Sequence, residues 1–172
     1  MDKHFFPINW IPITDTRQEL IGISHCPGKV SDKRGSNKRL LADLRSLKRQ
    51  NISGIVTLAT EHEIKKLGIK EFNETVQVHS FKHYIEPIED LSTPKVSRIS
   101  HIEDLLRRVL EDVYDEKKIL VHCNAGLGRS GIVVALLVRM IRGAVTDPIA
   151  YVRKYRPGAI ETIEQKKFVY EF

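Results

Sequence analysis

The stretch HCNAGLGRSG, His122 to Gly131, sits between a short apolar run and a long one. A strand, a glycine-bearing loop and a helix in that order suit phosphate, because loop N–H groups and the helix N-terminus point at one anion. Gly126, Gly128 and Gly131 allow close backbone approach or positive φ. Asn124, Ala125, Gly126, Leu127 and Gly128 would line the cradle, and Arg129 adds a planar fork for two phosphate oxygens that lysine cannot copy. Cys123 lies at the mouth, where positive potential favours the thiolate, the form that attacks. A thiolate facing a bound phosphate can take the phosphoryl group onto sulfur, whereas serine would need a separate base. The Ser130 hydroxyl could then stabilise the sulfur as it leaves, and His122 fits an orienting role better than a basic one. Two plainer readings compete. Cys123 alone is compatible with an inert packed thiol. A zinc site from His25-Cys26 and His122-Cys123 conflicts with strand geometry, since neighbouring residues point to opposite faces. The loop as a whole outweighs both.

The surrounding elements must hold this loop. Ile119 to Val121 reads as the strand that enters it, and Ile132 to Ile141 as a central helix, apolar nearly all round. Trp10 to Ile13, Leu20 to Ser24, Gly54 to Leu58 and the region of His83 to Ile85 read as further strands. Leu40, Leu41, Leu44 and Leu47 mark a helix over 37–50. Thr60 with Glu63 forms a capping box for a short helix closed by Gly68. Thr93-Pro94 reads as a helix start, with Val96, Ile99, Ile102, Leu105, Leu106, Val109, Leu110 and Val113 on its apolar face. Asp147-Pro148 starts another helix, and Thr162 with Gln165 caps the last. Strands alternating with helices imply an α/β fold, a central mostly parallel sheet covered on both faces.

Composition agrees with one domain over residues 1–172. The chain has 172 residues, 41% hydrophobic and 29% charged, enough for a core without staples. Two cysteines are too few for a disulfide framework and suit a reducing, cytoplasmic or nuclear setting. MDKHFFPINW lacks the plan of a signal peptide, and Ile132 to Val138 is too short to span a bilayer. The net charge of +6, with basic residues dense from Lys29 to Arg49, fits either a solvated helix face or a landing surface for anions.

His-Cys, five residues and Arg-Ser-Gly resemble the signature loop of the cysteine-based protein tyrosine phosphatases, and the short chain is similar to their dual-specificity branch. The similarity runs from about Leu20 to the C-terminus. LIGISHCPGK, KRLLADLRSLKRQNISGIVTL and HCNAGLGRSG resemble kinase-associated phosphatases of that branch, and RPGAIETIEQKKFVYEF equally its small single-domain members. The resemblance implies a metal-independent phosphatase, with no cofactor, that forms a phosphocysteine on phosphoproteins carrying phosphotyrosine, phosphoserine or phosphothreonine. A protein kinase is among the implied partners. It also implies a general acid in a Pro-Ile-x-Asp pattern, here Pro87-Ile88-Glu89-Asp90, with Asp90 later activating water. An acidic loop without a role is the plainer reading of that segment.

Family members often carry a glutamine where this chain has Glu161, and another where it has Gln165. The Glu161 charge is expected to disfavour a nearby phosphate dianion and slow the second step. Cys26 reads as a packed residue, with protective pairing to Cys123 as the alternative. Three other functions remain in competition: an RNA 5′-phosphatase, which Asp90 disfavours; a phosphoinositide phosphatase, which the lysine-free loop interior disfavours; and a phosphate-binding adaptor, which would not need an acid.

Overall fold

The structure, a computed structural model, describes residues 5–13, 19–143 and 145–172. The N-terminal reading above therefore rests partly on residues outside the described ones. Five strands form the main sheet in the order β1-β2-β7-β5-β6: β1 (Asn9–Ile11), β2 (Ile21–Ser24), β5 (Ile52–Thr57), β6 (Lys82–Ile85) and β7 (Lys118–His122). Only β1 runs antiparallel, against β2. The pairings of β2 with β7, β7 with β5 and β5 with β6 are parallel. A small hairpin, β3 (Lys29–Ser31) and β4 (Arg34–Gly35), stands apart.

Parallel strands need crossovers, and the helices supply them on both faces. Ile119 and Val121 of β7 enter one core, while Leu120 between them enters the other. The first core takes α4 (Ile99–Tyr114), α5 (Gly128–Ile141), α6 (Pro148–Tyr155) and α7 (Ile163–Glu171). The second takes α1 (Asn37–Arg49), α2 (Glu61–Lys66) and α3 (Phe72–Val78). Buried on every side from Gly128 to Val138, α5 is the central helix its apolar sequence implied. The expected α/β architecture is present.

Several elements differ from the sequence reading. Thr93-Pro94 does not begin α4. A 3₁₀ turn over Val96–Arg98 intervenes, and α4 starts at Ile99. The reason is an ion pair: Arg98 forks onto the buried carboxylate of Glu86 at 2.8 and 2.6 Å, fixing the turn at the mouth of the 86–90 loop. Val96 is accordingly 90% exposed and off the apolar face. Helix α3, which lacks a side-chain N-cap, and the β3–β4 hairpin carried too little pattern to be seen. Helix α5 begins four residues before Ile132, inside the glycine-bearing segment itself.

Leu106→Ala, in the core of α4, is expected to cost about 2–5 kcal/mol. Val96→Ala should change stability by less than about 0.5 kcal/mol. Urea unfolding of both distinguishes the observed start of α4 from the one read in the sequence.

Candidate active site

The carboxyl ends of the parallel strands converge on residues 122–131, where open α/β sheets bind ligands. Strand β7 leads into Cys123, β5 into Thr60 and Glu63, β6 into Ile88 and Asp90, and β2 into Cys26. The loop after β7 is shaped from outside, through its carbonyls. The Cys123 carbonyl lies 3.0 Å from His122 Nδ1, and the Asn124 carbonyl accepts from the Cys26 N–H at 3.1 Å. Arg156 donates to the carbonyls of Ala125 at 2.9 Å and Gly126 at 2.8 Å, and the Gly131 and Ile160 N–H groups reach that of Leu127. Because a peptide unit is planar, each carbonyl held outward turns the following N–H inward. The result is a ring of inward donors from Asn124 to Gly128. Gly126 is required at its place: φ is +69°, and a Cβ there would lie 2.2 Å from the Ser24 carbonyl oxygen.

Cys123 is 2% exposed, and its sulfur accepts from the Gly126 N–H at 3.3 Å. Arg129, in the first turn of α5, is equally buried. Its guanidinium makes two bonds to Glu63, 2.7 and 2.8 Å, one to Asp90 Oδ1 at 2.7 Å and one to the Ile88 carbonyl at 2.8 Å. Burial works against the Arg129 charge, but Glu63, the Cys123 sulfur and the Asp90 carboxylate together outweigh it and hold the guanidinium above its ordinary range. Burial likewise opposes the Glu63 charge, and Arg129 with the Thr60 N–H brings its carboxyl below the usual value.

The expected site residues are brought together. Asp90 meets Arg129. Glu161 accepts from the Gly128 N–H at 2.9 Å. Gln165 completes the capping box with Thr162, accepts from the Glu161 N–H at 2.8 Å and donates to the Ser92 carbonyl at 3.1 Å, tying α7 to the segment after Asp90. The Ser130 hydroxyl is buried and has no hydrogen-bond partner among the described residues. Cys26 and Cys123 are both free thiols, and burial pushes the Cys26 thiol up.

His122 heads a chain of neutral groups. A carbonyl only accepts, so Nδ1–H donates to the Cys123 carbonyl and Nε2 accepts from the Thr57 hydroxyl, 2.8 Å away. Thr57 in turn accepts from His83 Nε2 at 2.8 Å, which leaves His83 Nδ1 buried and unprotonated. Desolvation pushes His122 down to about 3 and His83 down to about 4. Neither is charged at neutral pH.

Sequence reasoning missed Glu63, Thr57, His83 and Arg156. Glu63 was visible, but only as a helix cap. Its Oε2 does both jobs, accepting from the Thr60 N–H at 2.9 Å and from Arg129 at 2.7 Å. Arg156, in the quoted RPG, carried no signal separating it from a surface arginine. Among the described residues, no group of three or more His, Cys, Asp or Glu side chains is placed to hold a metal ion. No helix among them is long and apolar enough to cross a membrane.

A sulfur among inward donors, with a buried guanidinium and an exposed carboxylate opposite, can hold a tetrahedral oxyanion against a nucleophile. That fold and arrangement define the phosphatases of the dual-specificity and protein tyrosine phosphatase superfamily. Residues 31–142 match the family model described as Tc-R-P, the dual-specificity-type phosphatase of polymorphic toxin systems, and the chain belongs to this family. Cyclin-dependent kinase inhibitor 3 from rat is 28% identical over 170 residues, 96% of this chain and 77% of the relative. The human protein of that name is also 28% identical, with the same coverage. The crystal structure of kinase associated phosphatase with its catalytic cysteine replaced by serine superposes with a TM-score of 0.85 at 25% identity, covering 99% and 95% of the two chains. Tk-PTP in its active form gives 0.69 at 26% identity, covering 90% and 91%.

Between pH 6 and 5 an unfolded histidine takes up a proton that folded His122 refuses. Stability should therefore fall with pH in that window, by about 1.4 kcal/mol per pH unit for this one group. Its folded value being lowered, the loss begins below the ordinary histidine value of 6.5. Urea unfolding of His122→Asn should give a profile flatter by one proton. An unchanged slope would show that His122 is charged or exposed in the folded state.

Proposed function

We propose that the protein is a phosphoprotein phosphatase that works through a phosphocysteine on Cys123 and needs no metal. The observation that carries this reading is the cradle: the Cys123 sulfur accepts from its Gly126 N–H, and the buried Arg129 fork, near enough to feel that sulfur's charge, holds Asp90. In the first step the Cys123 thiolate attacks phosphorus. The bond from phosphorus to the substrate oxygen breaks, and Asp90 gives that oxygen a proton. The phosphate takes over part of the Arg129 fork and so releases Asp90 toward the leaving group. In the second step Asp90 takes a proton from water, the water oxygen attacks phosphorus, and the sulfur leaves as thiolate with the Ser130 O–H donating to it. Inorganic phosphate is the product.

The names of the relatives support a kinase-related phosphoprotein as substrate. By analogy with the dual-specificity branch, the proposal extends to phosphotyrosine, phosphoserine and phosphothreonine.

Hydrolysis of p-nitrophenyl phosphate in excess chelator is expected for the unaltered protein and should be abolished by Cys123→Ser. Asp90→Asn should lower kcat on phosphotyrosine and phosphothreonine peptides by about 100-fold or more. It should lower kcat much less on p-nitrophenyl phosphate, whose leaving oxygen needs little proton. Equal losses on both would remove Asp90 as the acid. Activity confined to 5′-triphosphate RNA would overturn the choice of substrate.

A further inference from the structure

The inward donors of the cradle are limited in number, and the protein's own carboxylate already holds one. Glu161 Oε2 accepts from the Gly128 N–H at 2.9 Å, at the first residue of α5. The fit is close. A Cβ at Gly128 would lie 2.7 Å from Glu161 Oε2 and 2.7 Å from Gln165 Nε2.

The backbone beneath Glu161 is clamped, so only its side chain is free to move. The Ile160 N–H bonds to Leu127, Ile160 itself has φ +62°, and Arg153 donates to the carbonyls of Ala159 and Ile160, both at 2.8 Å. The Glu161 N–H is held by Gln165. Local cations are occupied. Arg129 is shared between Glu63 and Asp90, Arg156 is spent on the loop carbonyls and Asn9, and Arg153 on the carbonyls before Glu161.

From this geometry we infer that Glu161 is a specificity-determining residue: an internal anion that substrate phosphate must displace from Gly128. Because the displaced carboxylate stays beside the phosphate, the site selects phosphopeptides with arginine or lysine next to the phosphorylated residue. The inference rests on the phosphatase reading for its substrate class. Glu161 is exposed, and two anions a few ångströms apart repel even there. A cation carried by the substrate offsets both charges at once. Glutamine at this position would keep the hydrogen bond without the charge.

The first readout needs no turnover. Affinity for inorganic phosphate, by calorimetry on the unaltered chain, should rise about tenfold or more in Glu161→Gln. Glu164→Gln, an exposed carboxylate in the first turn of α7, should leave it unchanged. The second readout is binding of paired phosphothreonine peptides, with arginine or alanine beside the phosphothreonine, to the Cys123→Ser protein. The arginine peptide should bind about tenfold tighter, and adding Glu161→Gln should erase the difference mainly by improving the alanine peptide. Phosphate affinity unmoved by Glu161→Gln, or an arginine preference that survives it, overturns the inference. A chain that hydrolyses phosphopeptides with phosphate affinity unmoved keeps the phosphatase reading and loses this one. A chain that binds phosphate more tightly as Glu161→Gln but never turns over does the reverse.

Discussion

A guanidinium 1% exposed to solvent is a severe constraint, because a buried charge is tolerated only when it is paired and its donors are satisfied. Arg129 meets that demand with partners drawn from different strand ends. Glu63 follows β5, Ile88 and Asp90 follow β6, and Arg129 itself follows β7. Those three strands are adjacent and parallel in the sheet. An order that moved β5 and β6 away from β7 would separate the carboxylates from the guanidinium and leave an unpaired charge in the interior. The sheet topology and the site chemistry are thus one requirement. The Glu86–Arg98 fork extends the same logic, anchoring the start of the Asp90 loop to the 3₁₀ turn before α4.

The cradle draws its positive character from oriented peptide units as much as from charged side chains. Carbonyls 123 to 127 are each engaged from outside, by His122, Cys26, Arg156 and backbone N–H groups, and the donors of the following residues face in. This explains why His122 must be neutral. Nδ1–H serves the Cys123 carbonyl, and a protonated Nε2 would present a donor to Thr57, whose own hydroxyl proton would then have to turn toward His83. Desolvation keeps both rings uncharged and so keeps the hydrogen bonds running in one direction.

The shape of the loop over 122–131 was legible in the sequence because its residues lie within ten consecutive positions, and glycine spacing reports backbone shape directly. The amphipathic and fully apolar helices were legible for the same local reason. What escaped was non-local or had two purposes. Glu63 satisfied a capping box completely, so nothing in its neighbourhood asked for a second partner 66 residues away. Arg156 acts on carbonyls 30 residues upstream, and Thr57 links two histidines from different strands. The start of α4 was misplaced because Thr93-Pro94 is a sound local signal, overridden by the distant pairing of Arg98 with Glu86.

Net charge and local charge pull in opposite directions. The chain carries +6, although the recess that reaches Asn124 beside the cradle sets Lys33 and Lys66 against Asp32 and Glu63, so attraction at range comes from the net charge. At distances near the Debye length, that charge draws anionic substrates toward the chain without discriminating among them. Within the cradle, Glu63, Asp90 and Glu161 outnumber Arg129, and two of the three take donors that a phosphate oxygen would use. On the proposal that Glu161 competes with substrate, affinity for phosphate is held down at contact while encounter is favoured at range. A phosphatase that must release its inorganic product benefits from that division, because uniformly tight phosphate binding would slow product release as much as it helped capture.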